Sequence, residues 1–253
     1  MTDPAQGMRI AVNGLFWGRS ATGSGQYTMR LVERLVQRCP DDQFLLALHV
    51  TQDKPDSGTE RLPANLQRAI MGTPLDRVGD NWSKLWFEQM SFPRFCRRNH
   101  VDVAHVPYWA SPLWPSVPTV VTIHDLIPLM FSLYRGNLMV QAYSALVSRS
   151  AQRAARIVTD SETSRQDIIK LLKVAPEKIE VVYLAADERY RPIDDPAVLE
   201  AVRTKYDLPE RYVFYLGGFD ARKNVSFLMQ AYAQLVQAWR YAPDLVIAGR
   251  LPQ

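Results

Sequence analysis

The 253-residue chain has only two cysteines, Cys39 and Cys96, so no disulfide framework holds it together and no Cys/His spacing offers a metal site. A reducing compartment suits that usage. No apolar stretch is long enough to span a bilayer. Residues 1–7 are polar and lead straight into a short apolar run at Ile10, without the charged start and long apolar segment of a secretory leader. A cytoplasmic location is therefore expected. Clustered basic residues are missing as well. With a net charge of only +4, the chain is not expected to bind nucleic acid, while acidic substrates or headgroups on the inner face of a membrane stay open as partners. Repeats, coiled-coil heptads and low-complexity segments are absent. What remains is a globular composition, 47% hydrophobic, sufficient for a core at this length.

What is present is an alternation of short apolar strands with helical stretches. Strands are predicted at Arg9 to Val12, Phe44 to Val50, Val101 to Val106, Thr119 to Ile123, Ile157 to Thr159 and Ile179 to Tyr183. Between them, Gln26 to Arg38 carries Leu31, Val32, Leu35 and Val36 on one face and Arg30, Glu33, Arg34 and Arg38 on the other, an amphipathic helix. Trp82 to Asn99 and Leu138 to Ala155 read as helices too, the first kinked or broken at Pro93. The expected fold class is α/β, a parallel sheet with helices on both faces. Residues 1–193 form one domain in this reading. A linker, 194–209, follows, with Pro-rich punctuation and a short helix from Ala197 to Tyr206. Residues 210–253 then begin a second sheet with a single β-α-β unit, too small for a core of its own, so the chain reads as truncated.

Chemistry-bearing residues cluster where strands end. The buried-looking strand Tyr212 to Leu216 runs into Gly217 and Gly218, then Arg222 and Lys223, then an amphipathic helix. A helix N-terminus beside two cations favours a phosphate or diphosphate; two solvated cations before a helix is the plainer alternative. Gly23, Ser24 and Gly25 lie ahead of the helix at Gln26, either bringing backbone N–H groups to a phosphate or simply making a turn. His124 and Asp125 follow the strand at Thr119 directly, at the edge where open parallel sheets bind ligands. A histidine there hydrogen-bonds a substrate hydroxyl or takes a proton, unless it is satisfied within its own turn. His105 ends the preceding strand, and Tyr108 and Trp109 after it are placed either to stack on a sugar or to pack in the core. Ser161 and Glu162 follow Asp160, and a helix cap accounts for both. A dinucleotide fingerprint is lacking: G-x-G-x-x-G does not occur and the second strand ends near His49 rather than at an acid.

Four of these segments, in this order, resemble those of family 4 ("group 1") glycosyltransferases: Thr22-Gly-Ser-Gly-Gln-Tyr-Thr, Val121-Thr-Ile-His-Asp-Leu-Ile-Pro, Thr159-Asp-Ser-Glu-Thr-Ser and Gly217-Gly-Phe-Asp-Ala-Arg-Lys-Asn. The resemblance runs from about Arg9 to Gly249. It implies the GT-B architecture of two Rossmann-like domains, and transfer of a mannose-like hexose, with retention, from a nucleotide-diphosphate sugar to a glycan or lipid-linked acceptor. No metal or other cofactor is implied. By the same resemblance His124 and Asp125 are the catalytic candidates. Gly23, Ser24, Gly25, Gly217, Gly218, Arg222 and Lys223 are donor-binding candidates, and Tyr108, Trp109, Ser161 and Glu162 lie on the acceptor side. Fixed cations and N–H groups would stabilise charge on the departing diphosphate.

The chain departs from the family pattern twice. Gly218 stands where the family often has arginine, with Arg222 as a substitute charge, and the family's paired glutamates would lie beyond Gln253. Little or no transferase activity is expected of residues 1–253 alone. A non-catalytic sugar- or nucleotide-binding module is the alternative, and an NAD(P)-dependent oxidoreductase is disfavoured by the missing fingerprint.

Overall fold

A computed structural model describes residues 7–20, 22–50, 63–130 and 138–249; most of the polar lead-in of residues 1–7 lies outside them. The chain divides into two compact units, residues 1–185 and 186–253. The helix expected within a linker therefore belongs to the second unit.

In the first unit, seven parallel strands stand in the order β3-β2-β1-β4-β5-β6-β7. They are β1 Arg9–Asn13, β2 Gln43–His49, β3 Leu66–Met71, β4 Val103–Val106, β5 Thr119–Thr122, β6 Arg156–Thr159 and β7 Ile179–Val181. The helices are α1 Gly23–Arg38, α2 Asp80–Trp86, α3 Phe92–Arg98, α4 Ile127–Met130, α5 Leu138–Arg153 and α6 Glu162–Asp167. Side-chain alternation sorts β2 between two cores. Phe44, Leu46 and Leu48 pack with Val32 and Val36 of α1, whereas Leu45 and Ala47 join Phe87, Phe92, Val121, Ile157 and Ile168 on the other face. The expected sheet covered on both faces is present. The chain leaves β1 toward β2 on one side and returns to β4 on the other, so the sheet's switch point lies between the carboxyl ends of β1 and β4.

Two local expectations change. Pro93 does not break its helix: a wide turn at Phe87–Ser91, with the Phe92 N–H donating to the Phe87 carbonyl, joins α2 to α3 and places Pro93 in the first turn of α3, where a missing donor costs little. The helix predicted from Gln26 begins at Gly23. Thr22 caps it, accepting from the Gly25 N–H at 3.1 Å, so Gly23, Ser24 and Gly25 form its first turn rather than a loop ahead of it.

The second unit contains α7 Pro196–Tyr206, β8 Tyr212–Leu216, α8 Val225–Ala238 and β9 Asp244–Ala248, with β8 and β9 parallel. The expectation of a strand covered on both faces is not met by β8, whose Phe214 and Leu216 are 54% and 73% exposed. Two strands and the helices of this unit supply too few layers to enclose it.

Candidate functional site

At the carboxyl edge of β5 and β6 the sheet assembles a polar cluster. His124 Nδ1 lies 2.7 Å from Asp160 Oδ2. A carboxylate only accepts, so Nδ1 carries the hydrogen, and in the neutral ring Nε2 presents a lone pair. Nε2 and Asp160 Oδ1 are both buried without a hydrogen-bond partner. The Tyr27 ring of α1 stands edge-on to His124, centroids 4.7 Å apart. Its hydroxyl lies 3.2 Å from Thr122 Oγ1, which is also 2.9 Å from His105 Nε2. Burial, assisted by repulsion from His124 when that ring is protonated, lowers the pKa of His105 to about 4, so this imidazole is neutral at neutral pH. Burial raises the Tyr27 phenol above its ordinary range. Ser164 of α6 donates to the His124 carbonyl at 2.9 Å, fixing the backbone that carries the ring.

A second polar chain crosses the switch point. Asn13, at the end of β1, accepts from the Leu15 N–H and from the Tyr108 hydroxyl at 3.1 and 3.0 Å, and its Nδ2 is buried without a partner. Deeper lies Glu88, fully buried, accepting from the Tyr143 hydroxyl at 2.9 Å with Lys84 Nζ 3.7 Å away. Burial raises its pKa to about 7 against the lowering effect of Lys84 and Tyr143.

In the second unit, Gly217 donates to the Ala248 carbonyl at 3.1 Å. A Cβ on Gly249 would stand 2.1 Å from the Gly217 carbonyl oxygen, so the two backbones touch there. Gly218 has open space around its Cα. Arg222 and Lys223 occupy a single 3₁₀ turn, Ala221–Lys223, capped by Asp220. Arg222 Nε lies 3.5 Å from Asp220 Oδ1, so that cation is already partly answered. Asn224, left-handed at φ 52°, connects this turn to α8.

The family model described as Glycosyltransferase Family 4 matches residues 21–190. The chain belongs to glycosyltransferase family 4. Among relatives of this family 4 chain, O-antigen chain mannosyltransferase B of Escherichia coli is 27% identical over 241 residues, 90% of the chain and 60% of the relative. Serotype-specific mannosyltransferase WbdA of the same organism is 27% identical over 135 residues, 53% of the chain and 17% of its own length. Two crystal structures share its GT-B fold. WaaG, a glycosyltransferase involved in lipopolysaccharide biosynthesis, superposes with a TM-score of 0.64 at 15% identity, over 94% of the chain and 62% of WaaG. Anabaena HepE in complex with UDP-glucose gives 0.59 at 16%, over 95% and 59%. The family 4 chain thus spans about three fifths of the length of mannosyltransferase B and of both solved structures.

Among the residues singled out from sequence, the structure gathers some and separates others. His124 faces the cluster, but its carboxylate partner is Asp160, not the adjacent Asp125. Asp125 is exposed, and its Oδ1 accepts from the Ile127 N–H at 3.1 Å, capping α4. Gly23 is open to solvent, whereas a Cβ on Gly25 would stand 2.2 Å from the Arg19 carbonyl oxygen, so Gly25 permits close packing of the preceding loop. Tyr108 is buried and hydrogen-bonded, and Trp109 is half-buried against the core with its Nε1 buried and unpartnered. Ser161 caps α6, accepting from the Ser164 N–H at 3.1 Å. Glu162 pairs with Gln166 and Arg165 on the surface, which lowers its pKa. Missed from sequence were Tyr27, Thr122 and the Glu88 network. Asp160 carried the same strand-end signal as His124.

Proposed function

We propose that this chain supplies the acceptor-side domain, and the start of the donor-side domain, of a retaining glycosyltransferase that moves a mannose-like hexose from a nucleotide-diphosphate sugar to a glycan or lipid-linked acceptor. The observation that carries this reading is His124, held by Asp160 through Nδ1 and unpartnered at a buried Nε2, at the carboxyl edge of a parallel sheet in a family 4 domain. Nε2 accepts a hydrogen bond from a hydroxyl of the sugar being transferred, and Asp160 keeps the ring in that tautomer. As the sugar–diphosphate bond breaks and the acceptor oxygen bonds the anomeric carbon on the same face, the bonding electrons leave with the diphosphate, charge gathers there, and the departing phosphate oxygen takes the acceptor hydroxyl's proton. In the first unit the first turn of α1 at the open Gly23 is suited to meet such charge; the second unit, taken by itself, offers the N–H groups and cations of Gly217, Gly218, Arg222 and Lys223 as donor-binding candidates. The named activities of the E. coli relatives and the UDP-glucose bound by HepE support a hexose and a nucleotide donor.

The test is sugar transfer and donor binding with GDP-mannose and UDP-glucose, run on residues 1–253 and on the full reading frame that encodes them. Little or no transfer is expected of residues 1–253 alone. In the complete protein, His124→Ala should lower kcat by about 100-fold or more while donor affinity changes by less than about threefold. Unchanged turnover would remove His124 from the mechanism. Donor binding without any transfer by the complete protein would favour a non-catalytic module.

A further inference from the structure

Two cavities of the first unit meet at Lys84. One, about 500 Å³, is lined by Leu15, Phe16, Arg19, His49, Ser83 and Lys84, with Asp80 and Asn81 at its side. The other, about 430 Å³, is almost wholly apolar and lies between α2 and α5, where Trp82, Leu85, Met139 and Leu146 line it. Asn81 and Lys84 belong to both. Lys84 Nζ stands 5.8 Å from the Phe16 ring on the polar side and 4.8 Å from the Tyr143 ring on the apolar side. The Arg19 guanidinium lies 5.5 Å from the same Phe16 ring, so two cations that line one cavity both approach that ring. Among the described residues, Asp80 is the one carboxylate lining the polar cavity. Glu88 lies behind Lys84, and its pKa near 7 leaves the ammonium only partly neutralised at neutral pH. Trp82 and Met139 keep 48% and 38% of their surface exposed.

We propose that the two cavities together bind one lipid phosphate, the lipid end of the acceptor, with its anionic head between Arg19 and Lys84 and its hydrocarbon against α2 and α5. Two cations facing one carboxylate leave a positive seat, which a phosphate or diphosphate complements. The apolar cavity beginning at the same lysine matches a hydrocarbon chain attached directly to that head. A free glycan would leave the apolar half unused. The ligand's role as acceptor rests on the transferase reading; its binding does not.

Farnesyl diphosphate is the probe, titrated calorimetrically into the protein beside inorganic diphosphate, farnesol and phosphatidylglycerol vesicles, with no sugar donor present. Farnesyl diphosphate should bind at least about tenfold more tightly than inorganic diphosphate or farnesol, and Arg19→Gln and Met139→Glu should each weaken it about tenfold. Both side chains are exposed, so these variants should fold, whereas Lys84→Gln would remove the cation beside buried Glu88; thermal unfolding checks this. Equal affinity for inorganic diphosphate, equal affinity for farnesol, or binding to vesicles alone would overturn the proposal. Because no donor is present, these failures leave the His124 assay intact. Conversely, farnesyl diphosphate binding in a protein without transferase activity would keep the site and discard the transferase reading.

Discussion

His49 at the end of β2 and His124 just past β5 both meet an aspartate at the carboxyl edge of the same sheet: His49 Nε2 lies 3.0 Å from Asp76 and His124 Nδ1 lies 2.7 Å from Asp160. The surroundings differ. The nitrogen of His49 that meets Asp76 is also 2.8 Å from Ser83 Oγ, and the ring is buried edge-on to Phe87. Asp76 accepts in addition from the Thr73 N–H and from the Thr73 and Ser83 hydroxyls. Burial pushes its pKa up, but these donors outweigh it and hold the carboxyl far below the ordinary range. That pair clamps the end of β2 to the start of α2. In the His124 pair the outer atoms, Nε2 and Asp160 Oδ1, have no partner. A histidine–aspartate pair offers chemistry only where those outer atoms are unspent, because a saturated network has nothing left to give a ligand.

The largest expected effect separates the two pairs directly. His124→Ala should lower kcat of the complete protein by about 100-fold or more with a stability change under about 1 kcal/mol. His49→Ala should instead destabilise by about 2–3 kcal/mol, with kcat of the folded protein nearly unchanged at saturating acceptor. Urea unfolding and steady-state kinetics on the same preparations read both, and equal kinetic losses would erase the distinction.

Buried Glu88 sharpens the contrast with the ionised Asp76. Its folded pKa of about 7 lies above the ordinary 4.5, so its favourable contribution is full below pH 4.5 and is lost as pH rises toward 7. The Glu88→Gln variant should therefore gain on the wild type by about 3 kcal/mol across that window. His105 works in the opposite sense. Its folded pKa of about 4 lies below 6.5, so its contribution is present above pH 6.5 and fades as pH falls toward 4. The wild-type profile is accordingly flatter than that of Glu88→Gln, and parallel profiles for the two would contradict the assignment.

A smaller effect divides the two glycines of α1. Gly25→Ala should cost about 1–3 kcal/mol, since its Cβ would meet the Arg19 carbonyl oxygen, whereas Gly23→Ala should leave stability unchanged or raise it by a few tenths. Chemical denaturation midpoints decide between them. Smallest of all, Glu162→Gln should alter neither Tm nor turnover, because the side chain is exposed and its partners among the described residues, Arg165 and Gln166, belong to its own helix.

Six of the seven strands in the first unit were legible because each is a short apolar run. β3 was not: in Leu-Gln-Arg-Ala-Ile-Met only Leu66 is buried, as befits the edge of the sheet. The glycines at 23 and 25 read as a loop because glycine disfavours helix interiors, but Thr22 caps the turn and Gly25 is needed for contact with Arg19. Pro93 read as a kink or a break because its register within a wide helical turn is invisible to periodicity. At the site, His124 was legible from its strand-end position, while its partnership with Asp160, 36 residues away, follows from the pairing of Thr122 with Val158 in neighbouring parallel strands.

By itself the sequence determined the parallel α/β class, the order of its elements and the strand ends that carry polar side chains, since burial patterns with periods of two and 3.6 are local properties of the chain. Tertiary structure alone decided which aspartate meets His124, that Tyr27 stands against it, that Tyr108 is buried, and that Lys84 joins a polar cavity to an apolar one. Those juxtapositions arise from parallel pairing and helix packing between distant segments, and no local spacing encodes them.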